Sequence, residues 1–234
     1  MTERVVVVTG SSGGIGSAIV ERFTAAGDTV VGLDLLEGVD VSHPDDCQAA
    51  ADGIVAEHGR IDVLCNNAGV GAVGDVVAST PDDWQRVFAV NVFGIANMSR
   101  AVLPVMRTAR RGVVVNTCSV VASVGLIDRA VYSASKGAVL ALTRAMAVDE
   151  LPNGIRVNCV SPGTVSSPWV ERTVAAQSDP EAALEALRKR QPLGRMVTCE
   201  EVAAAVVYLA DDATFTTGAD LLLDGGITGV RVVE

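Results

Sequence analysis

Short runs of apolar and β-branched residues alternate along this chain with longer segments whose apolar positions recur at helical spacing. The runs Val5–Thr9, Thr29–Leu33, Ile61–Cys65, Gly112–Thr117, Ile155–Val160 and Leu221–Leu223 predict strands. Between them, Ile15–Ala26, Pro44–His58, Pro81–Arg107, Val131–Leu151 and Cys199–Leu209 predict helices. The regular alternation predicts an α/β fold, a doubly wound and mostly parallel sheet with helices on both faces. No repeat, low-complexity tract or linker divides the chain, so residues 1–234 are expected to form a single domain.

Two helical segments, Val87–Ile95 and Ala138–Val148, are apolar nearly all round, more than one sheet face can bury. A second subunit would cover the remainder, and the alternative is depth within a monomer. Residues 165–196 break the alternation, with Pro168, Pro180 and Pro192 interrupting it and charges gathering in Glu181–Arg190. A loop of that length is expected to be a helical flap over a site.

Composition narrows the partners. A net charge of −10 and a pI near 4.7, with no basic stripe, would repel a phosphate backbone, so nucleic acid is not expected. The opening Val5–Val8 run is too short for a signal-peptide core or a membrane span, which predicts a soluble, cytoplasmic protein without membrane contact. Cys47, Cys65, Cys118, Cys159 and Cys199 form no paired motif, and His43 and His58 have no ligand spacing. Neither disulfides nor a metal is expected.

The first strand runs directly into Thr9-Gly-Ser-Ser-Gly-Gly-Ile-Gly16, which opens a helix. Gly10, Gly14 and Gly16 would let the backbone approach a pyrophosphate, and the helix N-terminus offers amide donors. A glycine turn alone could be a mere tight loop. Asp34 strengthens the case, because it ends the second strand about 20 residues on, where a carboxylate accepts from an adenosine ribose. That carboxylate would repel a 2′-phosphate, and no Arg or Lys lies between Val30 and Asp46, so NAD is the expected cofactor rather than NADP.

Tyr132 and Lys136 stand four residues apart and project from one helix face. A free phenol, with a pKa near 10, is a poor base at neutral pH. An ammonium about 5 Å away at an effective dielectric near 20 favours phenolate by roughly 3 kcal/mol, which makes the pair a candidate proton-transfer site. Alone, such spacing is as well explained by a packed Tyr and a solvated Lys. Ser119 at a strand end and Asn91 in Val90-Asn-Val-Phe-Gly94 raise its standing. Cys118, beside Ser119, has no nearby His to act as its base and is expected to pack.

Taken in order, Thr9–Gly16, Asn66-Asn-Ala-Gly69, Asn91, Ser119, Tyr132/Lys136 and Pro162-Gly163 resemble the motif set of the short-chain dehydrogenase/reductase family, across almost the whole chain. The resemblance implies a single-domain Rossmann fold and a homotetramer or homodimer. It implies that Tyr132 exchanges the substrate hydroxyl proton while hydride passes to or from nicotinamide, that Ser119 bonds the substrate oxygen, that Lys136 holds the nicotinamide ribose, and that Asn91 positions a relay water. Gly10, Ser12, Gly14, Ile15 and Gly16 would hold the pyrophosphate end, Asn67, Ala68 and Gly69 the adenosine ribose, and Asp40 and Val41 the adenine edge. Pro162, Gly163 and Val165 would border the nicotinamide, and Ser167 stands where many members carry Thr. The segment between Asp34 and Asp40 is shorter than most members allow, so the third strand is expected to be vestigial.

For the substrate, Arg129 and Arg190 could converge over the site and clamp a carboxylate. With Pro168 and Gln191 they resemble the branch acting on hydroxy acids and sugar acids, of the 3-hydroxybutyrate and 2-keto-3-deoxy-fuconate types. Surface ion pairs with Asp128 or Glu185 are the equal alternative. Trp169, at the start of the flap, is the aromatic residue expected nearest the substrate, with lid packing as its plainer role. A neutral sugar substrate, or an NAD-sensing protein that has lost its chemistry, are the competing functions. The retention of Ser119, Tyr132 and Lys136 favours the enzyme, and a sugar-nucleotide epimerase would have a longer carboxyl-terminal region.

Overall fold

The structure is a computed structural model that describes residues 4–230. Its centre is a sheet of six parallel strands, β1 (Val5–Thr9), β2 (Thr29–Leu33), β3 (Val63–Asn66), β4 (Gly112–Thr117), β5 (Ile155–Pro162) and β8 (Asp220–Leu223), in the order β2-β1-β3-β4-β5-β8. The valine run of β1 shows why the sheet is buried on both faces. Val5 and Val7 join a core with α2 (Pro44–His58), α4 (Gly94–Ala109) and α5 (Ala130–Glu150), while Val6 and Val8 join one with α1 (Gly14–Ala25) and α8 (Cys199–Asp211). Each fully buried valine contributes roughly 1.5–3 kcal/mol through removal of apolar surface from water.

The order of winding reverses between β1 and β3. At such a switch point the loops leaving the two strand ends diverge and open a crevice, the usual ligand site of a doubly wound sheet. Thr9–Gly10 and Asn67–Gly69 flank it. No strand forms between Asp34 and Pro44; the chain makes one short turn, Leu35–Glu37, and reverses at Gly38 (φ 80°). The expected third strand is absent there, and β2 is the sheet edge.

The predicted helix Pro81–Arg107 is three pieces: α3 (Pro81–Phe88), a π-helical turn (Ala89–Phe93) and α4. Apolar spacing does not register one extra residue in a turn. The predicted flap holds two helices, α6 (Pro168–Ala175) and α7 (Pro180–Lys189). Each starts with proline, whose missing N–H is harmless at a first position, and Ser167 and Asp179 cap them. Flanking them, β6 (Val165–Ser166) and β7 (Val197–Thr198) pair in parallel and pin the two ends of the flap together.

Candidate active site

The glycine turn is closely packed. Gly10 (φ 65°) donates its N–H to the Leu33 carbonyl at 2.8 Å. A β-carbon on Gly16 would stand 2.0 Å from the Gly10 carbonyl oxygen, so only glycine fits there. Gly13 caps α1 with no side chain, leaving the first-turn amides, including those of Gly14 and Ile15, without a side-chain acceptor. Asp34 closes the turn from β2: its carboxylate accepts from the Ser12 amide at 3.2 Å and the Leu36 amide at 3.4 Å.

On the adenosine side, two of the candidate side chains are already engaged within the protein. The Asn67 side chain points into the protein, donating to the carbonyls of Thr9 and Gly10 (both 3.2 Å) and accepting from the Thr117 hydroxyl at 3.3 Å. The Thr9 hydroxyl in turn accepts from the amides of Asn67 and Ala68, both at 3.0 Å. Asn67 therefore ties the ends of β1 and β4 together, and only its backbone is free to line a ribose. The Asp40 carboxylate is likewise engaged by the Ser42 amide (2.9 Å) and hydroxyl (2.7 Å), which hold it below the usual carboxylate range. Val41 is buried, and its carbonyl accepts from Asn97 at 2.9 Å.

At the chemical end, Tyr132 and Lys136 lie on the first two turns of α5. Lys136 is only 3% exposed. Its ammonium donates to the Thr117 carbonyl at 2.7 Å and lies 5.7 Å from the centre of the Tyr132 ring. None of the described ion pairs includes it. Ser119 follows β4 and caps the turn Val120–Ala122, its hydroxyl accepting from the Val121 amide at 3.4 Å, and that turn packs against α5.

Asn91, in the π-helical turn, is fully buried. Its amide group accepts from the Val70 N–H (2.8 Å) and donates to the Val70 carbonyl (3.0 Å) and the Ser135 hydroxyl (3.1 Å). The side chain is thus a brace between the loop after β3 and α5, and a relay water has to be held by backbone. A β-carbon on Gly69 would lie 3.4 Å from Asn91 Oδ1 and 3.7 Å from Lys136 Nζ, which brings Gly69 to the same spot. Thr117 and Ser135 were not foreseen, because a backbone carbonyl or a helix-face hydroxyl leaves no signature in sequence.

The flap closes on both ends of the crevice. Pro168 Cδ lies 2.9 Å from where a β-carbon on Gly14 would be, and Ser167 Cβ 3.4 Å, so Ser167 sits beside the glycine turn. Trp169, 55% exposed, faces Gly71 across the cleft at 3.8 Å from that glycine's vacant β position. Partial burial and the charge of Arg129 hold Arg190 below the usual arginine range. The alternative of surface ion pairs with Asp128 or Glu185 is not seen among the described residues: Arg129 donates to the Asp128 backbone carbonyl at 2.8 Å, and Glu185 is bridged by Arg188 and Lys189. Gln191, next to Arg190, packs against Gly163. Cys118 is buried with Cys159, Val139 and Ile95, and its thiol donates to the Lys136 carbonyl at 3.3 Å.

Similarity to known proteins agrees with this layout. A family profile described as enoyl-(acyl carrier protein) reductase matches residues 35–228. The L-fucose dehydrogenase of Mus musculus is 39% identical over 95% of this chain and 88% of its own length. Dehydrogenase/reductase SDR family member 6 of Danio rerio is 37% identical over 95% and 96%. Among solved structures, ligand-free aldohexose dehydrogenase of Thermoplasma acidophilum superposes with a TM-score of 0.90 at 34% identity, covering 99% of this chain and 98% of that one. NAD+-bound xylitol dehydrogenase gives 0.89 at 32% identity, covering 95% and 98%. With the glycine turn, the buried lysine under Tyr132 and the switch-point crevice all in place, the chain belongs to the short-chain dehydrogenase/reductase family.

Proposed function

We propose that this protein is an NAD-dependent dehydrogenase that interconverts a secondary alcohol and a ketone. The observation that carries the reading is the placement of Lys136, a buried ammonium held by the Thr117 carbonyl beneath the Tyr132 ring. The site fits the dinucleotide. The tight glycine turn, packed backbone to backbone at Gly10 and Gly16, and the start of α1 without a side-chain cap suit a pyrophosphate, and Asp34 suits an unphosphorylated ribose. Bound NAD would supply the hydride acceptor in the oxidation direction.

In that direction Tyr132 accepts the hydroxyl proton as general base, and Ser119 donates to the substrate oxygen and holds its carbon in position. Lys136 would favour the phenolate and, with NAD bound, hold the nicotinamide ribose. Pro162, Gly163 and Val165 would border the nicotinamide, while Asn91 keeps the Val70 loop and α5 in register so that backbone carbonyls could order a proton-relay water.

For the substrate we favour a small hydroxy acid or sugar acid, because Arg190 feels the charge of Arg129 and neither guanidinium is ion-paired among the described residues. A neutral sugar is the second reading, supported by the activities named for the fucose, aldohexose and xylitol enzymes. NADH formation at 340 nm by wild type and Tyr132→Phe, over hydroxy acids, sugar acids, aldoses and simple alcohols, separates the two. Turnover confined to carboxylate-bearing alcohols and reduced about 100- to 10,000-fold in the variant is expected. NAD binding with no turnover of any alcohol would overturn the proposal.

We further propose a single-domain, cytoplasmic homo-oligomer, a homotetramer by analogy with the family. The exposed Phe93, Val148 and Leu151 on the α4–α5 side are the surface that a second copy would cover, and all five cysteines are free, as a reducing compartment requires.

A further inference from the structure

Strand β3 runs alongside β4 only as far as the pair Asn66 and Asn116. Beyond that pair the next two backbone N–H groups, those of Asn67 and Ala68, turn to the Thr9 hydroxyl, both at 3.0 Å. Thr117, one residue further along β4, therefore presents a carbonyl for which β3 offers no donor. A half-buried peptide carbonyl left in that state is unfavourable, and Lys136 supplies the missing donor at 2.7 Å.

The side chain of Thr117 takes over where the ladder stops. Its hydroxyl donates to Asn67 Oδ1 at 3.3 Å. The sense of this bond is fixed, because Asn67 Nδ2 already donates to the Thr9 and Gly10 carbonyls, both at 3.2 Å, and the amide oxygen facing Thr117 can only accept. On the other edge the Cys118 N–H, in the same peptide group as the Thr117 carbonyl, donates to the Val160 carbonyl at 2.8 Å. The peptide that carries the lysine's acceptor is thus held from both neighbouring strands, by backbone toward β5 and by a side-chain pair toward β3. A valine here would match the preceding Val113–Val115 run in shape and strand preference, so sheet formation alone gives no reason for a hydroxyl.

We propose that Thr117 is a positioning residue for the proton-transfer pair: its hydroxyl, through Asn67, fixes the carbonyl that keeps the Lys136 ammonium beneath the Tyr132 ring. The assignment rests on the proposed dehydrogenase reading for its purpose, while its geometry stands apart from that reading. Lysine carries a strongly hydrated head on a flexible stem, and one released from its acceptor moves toward water and away from the ring. Attraction between unit charges falls inversely with distance. Drift of the ammonium from 5.7 Å to about 8 Å from the ring centre would raise the pH at which phenolate forms by about half a unit.

Ultraviolet titration of phenolate in the full chain tests this without any substrate. The protein has two tyrosines, so subtracting the same titration made in a Tyr132→Phe background isolates Tyr132. Thr117→Val is expected to move the Tyr132 midpoint up by about half a pH unit, and Thr117→Ser, which keeps the hydroxyl, to leave it at the wild-type value. With NAD and whichever of L-fucose and 3-hydroxybutyrate is oxidised, the acid limb of kcat in Thr117→Val is expected to move by the same amount, while KM and NAD affinity change by less than about twofold. That limb also decides the matter if alkali unfolds the variant before its phenolate forms. A Thr117→Val midpoint and acid limb equal to wild type overturn the assignment whatever the change in Tm, because a tie that only joins strands lowers Tm and leaves the tyrosine alone. A Thr117→Ser midpoint displaced as far as that of Thr117→Val overturns it as well, since the hydroxyl is then not the cause. Midpoints that behave as expected in a protein that oxidises no alcohol with NAD sink the dehydrogenase reading and leave the positioning role standing.

Discussion

Four residues of helix turn the chain by about 400°, which sets Lys136 under Tyr132, but it is the Thr117 carbonyl that stops the lysine from reaching for solvent. An ammonium held there, 5.7 Å from the Tyr132 ring centre, would favour a negative charge at that range by roughly 3 kcal/mol at an effective dielectric near 20. Replacing Lys136 with Met is therefore expected to lower kcat by about 100-fold, given that tenfold corresponds to about 1.4 kcal/mol and part of the field is screened. Steady-state rates at saturating NAD check this. Gly16→Ala tests the other end of the cleft. The added methyl has the Gly10 carbonyl 2.0 Å away, and a backbone group cannot move aside as a side chain would. NAD binding is expected to be lost and Tm lowered, which calorimetric titration and thermal melts would show. At this scale the sequence was most informative where chemistry demands a residue type. The internal hydrogen bonds of Asn67, Asp40 and Asn91 were not legible in sequence, because what their polar groups bond to is settled by tertiary contacts that spacing does not encode.

Elements tell a similar story about signal and silence. Valine runs and helical periodicity marked every strand of the main sheet and nearly every helix, because burial on two faces or one leaves a periodic trace. The π-helical turn at Ala89–Phe93 left none, since the segment is apolar at four of its five positions and offers no stripe whose rotation could be read. The turn Leu35–Glu37 matters for cofactor choice. It places Glu37 with Glu21 on a cleft of about 360 Å³ whose other walls include Ser11, Ser12, Ser17 and Gly32, just past the Asp34 carboxylate. Asp34→Ser alone should leave NAD preferred, because two carboxylates still face a 2′-phosphate. Adding Glu37→Arg should raise the NADP-to-NAD ratio of kcat/KM by a further 10-fold or more, a change of about 1.4 kcal/mol.

Helix ends are joined in the same long-range way. Arg107 at the end of α4 hydrogen-bonds the buried Glu150 carboxylate at the end of α5, and this contact holds that carboxyl below its usual range. A carboxyl whose folded pKa is depressed stabilises the fold above its unfolded value, near 4.3, and loses that contribution as pH falls through the folded value. Glu150→Gln should cost about 1–3 kcal/mol at pH 7, discounted from a fully buried pair because half of Arg107 is exposed. The gap to wild type in urea midpoints should narrow below about pH 4.

At the scale of the whole molecule, alternation of strands and helices implied the sheet and its winding, and the switch point follows from strand order. The flap could be seen only as an interruption, since its contacts with Gly14, Gly71 and Gly163 come from residues far apart in the chain. Phe93 and Val148 are exposed at the ends of two apolar helical segments whose other members, such as Val87, Ile95 and Val139, are buried within the chain. Light scattering is expected to give a multiple of the 24.1 kDa chain, and Val148→Glu to shift it toward smaller species.

The shortened link after β2 has a consequence of another kind. Among the described residues nothing pairs beyond β2, which ends the sheet as a five-residue edge, and an edge is a template on which another extended peptide can pair. Its brevity and Gly32 limit that risk. The same opening makes the bend at Gly38 a natural point of insertion, since a strand-forming segment spliced in there would find a ready row of partners and extend the sheet without disturbing the crevice at its centre.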